Sequence, residues 1–191
     1  MKTVMPDPSK LFNRAIDALQ ASDLTEARRL LVGLLALVPD DRDAALMLSR
    51  AERDAGDNEA ASEILRTYLG YCPDDHEALV ELADTYLDLG EALEAGRVLK
   101  RALLQNPSDA ETLYLLGNAF HDTGHPHEAV RAYRHSLSTD PFAPDTWYNL
   151  AMSLEDIDDQ GQADEAWRTW VQCSPPSEER DKRAARLEER R

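Results

Sequence analysis

Three histidines and an aspartate crowd into the segment HDTGHPH, as His121, Asp122, His125 and His127. Nitrogen ligands this close together could hold zinc. Their spacing is not a standard ligand signature, however, and the segment falls where the chain must turn. No metal and no cofactor are expected. Nothing else has the spacing of catalysis: there is no glycine-rich phosphate loop, no nucleophile with a base at a recognised distance and no HExxH, so the chain does not read as an enzyme. The more telling chemistry is acidic. Glu77, Glu81, Asp84 and Asp88 follow one another at steps of 4, 3 and 4, which is one face of a helix. Like charges so placed destabilise a helix by about 0.2–0.5 kcal/mol per pair. A carboxylate stripe of this kind attracts cations and basic segments.

The elements that must position these residues follow from a repeat. Pro39, Pro73, Pro107, Pro141 and Pro175 are each 34 residues apart. With Ala110 as position 1 of its unit, position 20 is Ala27, Ala61, Ala95, Ala129 and Ala163. Position 24 is Leu31, Leu65, Leu99, Tyr133 and Trp167, and position 7 is Leu48, Leu82, Leu116 and Leu150 after Arg14 in the first unit. A fixed period of this length marks stacked repeats. Within each unit the pattern is helix, tight turn, helix, proline stop. Leu113, Leu116, Gly117 and Phe120 fall at i, i+3, i+4 and i+7, the apolar stripe of an amphipathic helix. Gly56, Gly90 and Gly124 close the first helices at the C′ position, and acidic or small polar residues between units can cap the next helix. The fifth unit has Asp158 in place of that glycine and Gly161 three residues late, so a frayed or distorted turn is expected near 157–162.

On Leu113, Leu116, Gly117, Phe120, Ala129, Tyr133, Pro141 and their counterparts one period away, the chain resembles the tetratricopeptide repeat family. The resemblance covers about residues 8–176. It implies an all-α fold, a right-handed α-solenoid of five helix-turn-helix repeats at 8–41, 42–75, 76–109, 110–143 and 144–176. A flexible lead is expected at 1–7 and a C-terminal capping helix at 177–191, opened by Ser177. Small residues at positions 8 and 20 let paired helices approach closely, and Trp147, Trp167 and Trp170 are assigned to the core.

Composition narrows the function. The chain of 191 residues carries a net charge of −16. The 15 residues from 177 onward are close to balanced, so the acid belongs to the repeats. Such a body repels phosphate backbones and anionic membranes, and no nucleic acid and no membrane partner is expected. No apolar run is long enough to span a bilayer, and the opening MKTVMPDPSK has no apolar segment of a secretory signal. Cys72 and Cys173 form no CxxC and read as reduced thiols, so a cytoplasmic location is expected.

The resemblance implies that the first helix of each unit lines a groove that binds another protein. The groove residues it singles out are Asp43, Met47, Arg50, Asp54, Glu77, Glu81, Asp84, Asp88, Glu111, Tyr114, Asn118, Asp122, Asp145, Tyr148, Asn149 and Met152. Carboxylates at position 2 also stabilise helix N-termini, which accounts for Asp43, Glu77, Glu111 and Asp145 but not for Glu81, Asp84 or Asp88. In chaperone-binding members of the family, asparagines matching Asn118 and Asn149 hold a peptide backbone and its terminal carboxylate, with cations where this chain has Tyr114, Glu179 and Arg183. Only Arg183 fits, so a full carboxylate clamp is not expected. The function expected is a scaffold, adaptor or assembly chaperone that binds a basic or amphipathic segment of another protein, itself a monomer or weakly self-associating. The alternative is a structural repeat protein stacking end to end, Leu11, Phe12, Ile16 and Leu19 of the first unit against the terminal helix.

Overall fold

The computed structural model describes residues 7–189; the lead expected at 1–7 lies outside them except for Asp7. Among the described residues eleven helices follow one another: α1 (Pro8–Gln20), α2 (Leu24–Leu35), α3 (Arg42–Asp54), α4 (Asn58–Tyr71), α5 (His76–Asp88), α6 (Ala92–Gln105), α7 (Ala110–Asp122), α8 (Pro126–Thr139), α9 (Pro144–Asp156), α10 (Gln160–Cys173) and α11 (Glu178–Glu189). They fall into two compact units, the first ending at Gly90 and the second beginning at Glu91. In the first, α1 packs on α2, α2 on α3, α3 on α4 and α4 on α5. In the second, the chain of contacts runs from α6 through α11.

Aspartate makes the helix starts. Asp7, Asp23, Asp41, Asp57, Asp75, Asp109 and Asp159 each accept a hydrogen bond from a backbone N–H in the first turn of the helix that follows. A cap of this kind stabilises by about 1 kcal/mol. Seven of the 37 acidic residues are therefore structural. Helices α8 and α9 begin on a proline instead, which has no N–H to leave unsatisfied. The Arg180 N–H donates to Ser177 Oγ at 3.2 Å at the start of α11.

Position 15 ends the first helices in one conformation throughout. Gly56, Gly90 and Gly124 have φ of 74–82°, and Ser22 and Asp158 adopt φ of 58° and 59° at the same place. The turn at 157–159 is not frayed. The Asp158 N–H donates to Glu155 O and the Asp159 N–H to Leu154 O, both at 3.0 Å, as Gly124 and His125 do to His121 and Phe120. Aspartate tolerates the left-handed region better than most residues, so the turn keeps its length, and Gly161 simply lies inside α10.

The period is carried by exclusion of bulk. Ala27, Ala61, Ala95, Ala129 and Ala163 are all wholly buried. A Cβ added at Gly117 would lie 2.3 Å from Tyr133 Cε1, so the aromatic at position 24 of the fourth repeat requires glycine across from it. In the second unit the core gathers Tyr133, Leu150, Leu154, Trp167, Trp170 and Leu187. Trp167 and Trp170 are buried, whereas Trp147 is only half-buried and donates from Nε1 to Pro141 O at 2.9 Å. No described helix is long and apolar enough to cross a membrane.

Candidate functional site

In the first unit the face shared by α3 and α5 is a charge ladder. Arg42 Nε donates to Asp75 Oδ2 at 2.9 Å, and its Nη2 reaches Glu77. Arg50 donates to Glu77 and to Glu81 at 2.9–3.0 Å. Arg53 donates to Glu81 at 3.1 Å, Asp84 at 2.7 Å and Asp88 at 2.8 Å. The whole α5 stripe is thus paired with guanidinium groups of the preceding repeat, and the repulsion that its spacing implies is offset within the protein. The pKa shifts agree in direction. Hydrogen bonding to Arg50, with help from Arg42, holds the Glu77 carboxyl below its ordinary 4.5 despite some burial. Burial raises Asp75, but the Ala78 N–H, the Tyr68 hydroxyl and Arg42 together hold it below 3.8. Burial disfavours the charged Arg53, and its bonds to Asp88 and Asp84 more than compensate. Asp43 and Asp54 are exposed beside this ladder, and half-buried Met47 packs on the unit's core.

Arg42 lay outside the groove positions, and so did a second pair. Arg28 of α2 donates from Nε to Glu52 Oε1 at 2.7 Å and from Nη2 to the other oxygen, and Glu52 is buried. Arg42 was findable by reading charge across neighbouring repeats, since it precedes Asp75 and Glu77 by about one period, whereas Arg28 and Glu52 are 24 residues apart and carry no such signal.

In the second unit the face shared by α7 and α9 is built from amides and phenols. Asn118 Oδ1 accepts from Tyr133 Oη at 2.8 Å and from Asn149 Nδ2 at 2.9 Å, and Asn149 Nδ2 also lies 3.4 Å from Tyr114 Oη. Burial pushes the Tyr133 phenol well up, and it stays a donor. The Asn118 oxygen is used by two donors. Its Nδ2 and the Asn149 Oδ1 take no part in these bonds, leaving an amide donor group and a carbonyl acceptor. Next to them, Glu111, Tyr114, Asp140 and Asp145 line a recess of about 220 Å³. Met152 packs on the core. Tyr148 Oη donates to Glu179 of α11 at 3.1 Å, and burial together with that bond raises its pKa.

Arg183, which fits the clamp pattern, is engaged elsewhere. Its Nη1 donates to Glu155 Oε1 at 3.1 Å, and its guanidinium carbon stands 3.7 Å from the Trp167 ring centroid. Helix α11 stacks on α10, with Leu187 buried. The histidines diverge. His121 Nε2 lies 3.1 Å from Asp156 Oδ2 and its Nδ1 3.6 Å from Asp122, while His125 Nδ1 lies 3.2 Å from Thr123 Oγ1. Among the described residues no group of three or more His, Cys, Asp or Glu is placed to hold a metal ion.

A succession of paired helices whose first members carry ordered polar faces defines a helical-repeat interaction protein. The sequence matches tetratricopeptide repeat models at residues 18–78, 53–119 and 110–142. The chain belongs to the tetratricopeptide repeat family. No curated protein sequence matches it. Solved structures share the fold. One is described as the crystal structure of MamA protein, at 20% identity over 87% of this chain and 91% of that one, with a TM-score of 0.80. Another is MamA 41-end from Desulfovibrio magneticus RS-1, at 22% identity, 89% and 97% coverage and a TM-score of 0.81. A MamA RS-1 double mutant gives 22% identity, 89% and 96% coverage and a TM-score of 0.82.

Proposed function

We propose that the chain is a scaffold or adaptor that binds an extended, basic segment of a partner protein on the α7–α9 face of the second unit. The carrying observation is a contrast in charge use. The carboxylates of the α5 stripe are each paired with Arg42, Arg50 or Arg53, whereas Asp145, exposed on α9, lines an open recess beside Tyr114. A lysine or arginine of the partner enters that recess, where carboxylates and an aromatic face both favour a cation. The amides of Asn118 and Asn149 offer one donor and one acceptor to the partner's backbone, which has the same complement per residue. Asp122, Tyr148 and Met152 continue the surface. Asp43, Met47, Asp54 and the paired α5 stripe form a second, weaker contact area. Free thiols at Cys72 and Cys173 fit a reducing compartment, and a cytoplasmic location is part of this reading.

The test is affinity capture from native extract, with the wild type, with Asp145→Lys and with Asn149→Ala. Capture of a basic partner that both variants lose supports the reading. Equal capture by all three overturns it. Reversal of Glu81, Asp84 and Asp88 is a poor probe, because it would set three lysines against Arg50 and Arg53 and disturb the fold.

A further inference from the structure

We propose that the cleft between α2 and α4, on the second-helix side of the first unit, is a separate binding site for an aromatic side chain flanked by a cationic residue on a partner protein. The cleft has a volume of about 340 Å³ and is walled by Val32, Leu35, Leu48, Ile64 and Tyr68, with Ala45 at its back. That is the lower end of the size of ligand clefts. Val32 at its mouth is 56% exposed, an apolar side chain held in water.

The chain carries its own control, because the repeat places an equivalent cleft between α8 and α10 of the second unit. That cleft is no smaller, at about 410 Å³, but its walls differ. Val32 is replaced by Arg134, Ala60 by Gln162 and Ile64 by Ala166. Arg134 donates to Gln162 across the mouth. Trp147 takes the place of Ala45, so the second unit supplies from its own chain an indole that the first unit lacks. The first cleft is thus the same site with the polar bridge removed and an aliphatic wall, Ile64 for Ala166, in place of the internal ring, and an aromatic group from a partner takes the role of the indole that the second unit supplies itself.

Charge at the rim selects the neighbour of that ring. Glu63 lines the cleft and is exposed, with Glu59 one turn earlier on the same helix. A second copy of this chain, at net charge −16, is repelled by such a rim. A cationic partner is attracted. The site stands on different residues from the α7–α9 face and holds whether or not that face binds a peptide.

The experiment uses the full chain with carbon-13-labelled methyls and two probes, N-acetyl-tryptophanyl-arginine amide and its glutamine analogue. Saturable shifts are expected at the Ile64, Val32 and Leu35 methyls. Val32→Arg/Ala60→Gln rebuilds the bridge of the second unit and should weaken binding at least about tenfold, a loss expected when an apolar pocket is closed. Both positions carry those residue types elsewhere in the repeat, so the fold should hold. Ala45→Trp is the second plug. Glu63→Gln should weaken the arginine peptide about threefold, the scale of an exposed ion pair, and leave the glutamine analogue unchanged. Absence of saturable shifts, or equal binding by the bridged variant, overturns the site. Equal affinity for the two probes overturns the cationic neighbour. Shifts at the same methyls that grow with protein concentration alone overturn the partner in favour of self-association.

Discussion

The α3–α5 face and the α7–α9 face occupy the same positions of the same repeat, yet one is built from ions and the other from amides. In the first unit Arg50 and Arg53 face Glu81, Asp84 and Asp88, and each carboxylate is paired with a guanidinium. In the second, Asn118 and Asn149 bond to each other and to tyrosines, and a donor and an acceptor are left over. A repeat fixes where a side chain points and leaves open whether it is spent on the fold or kept for a ligand. Charge density by itself is a poor guide to a binding face, because opposite charges one period away close on one another. What matters is the hydrogen-bonding capacity that the fold does not consume.

The largest effect expected is on the packing that holds the amide face. Gly117 lies under the Tyr133 ring, and Tyr133 in turn positions Asn118. Gly117→Ala should cost about 2–3 kcal/mol by overpacking, outweighing the helix propensity gained. The double substitution Gly117→Ala/Tyr133→Leu, which copies the leucine found at position 24 of the first three repeats, should recover most of it. Equilibrium denaturation measures both. A fully stable single variant would show that the ring does not rest on that glycine.

The next effect separates ions from amides. Arg53→Ala leaves Glu81, Asp84 and Asp88 facing one another and should cost about 1–2 kcal/mol at low salt, shrinking as salt rises. Asn149→Ala should cost about 0.5–1.5 kcal/mol with no salt dependence. If both losses respond alike to salt, the two faces do not differ in kind.

Acid sharpens the same contrast. Glu77 and Asp75 have carboxyls held below their ordinary values. A carboxyl with a depressed folded pKa contributes stability that is present above its unfolded value, near pH 4, and lost as pH falls through the folded value. Hydrogen exchange should therefore show the first unit loosening as the pH drops below about 4. Arg50→Ala, by releasing Glu77, should make that dependence shallower.

How much of this was legible in the sequence differs by level. The helices and their order follow from a period written in Ala27, Ala61, Ala95, Ala129 and Ala163, because close approach of two helices tolerates no larger residue and so leaves a mark at one position every time. The α5 stripe was visible as well, but its pairing with Arg42, Arg50 and Arg53 was not, since helix-face reasoning looks along one helix and these partners lie on α3, the first helix of the preceding repeat. The Asn118–Asn149 bond was hidden for the same reason, whereas the amides themselves stood out. The open cleft beside Val32 left no local signal at all. It emerges only when Val32, Ala45 and Ala60 are set beside Arg134, Trp147 and Gln162.

The smallest effect concerns position 15, where the repeats disagree on glycine. Ser22 and Asp158 adopt the left-handed backbone that Gly56, Gly90 and Gly124 adopt freely. For a residue with a Cβ this region costs about 1–2 kcal/mol, somewhat less for aspartate. Glycine relieves that strain but raises the entropy of the unfolded chain, so the net gain should be about 0.5 kcal/mol. Ser22→Gly should gain slightly more than Asp158→Gly, because serine lacks aspartate's tolerance of the conformation. Each variant reads its own unit, one at the α1–α2 turn and the other at the α9–α10 turn. Thermal denaturation of the two single variants and the pair measures the gains. Loss of stability on Asp158→Gly would mean that its carboxylate, and not its backbone, sets that turn.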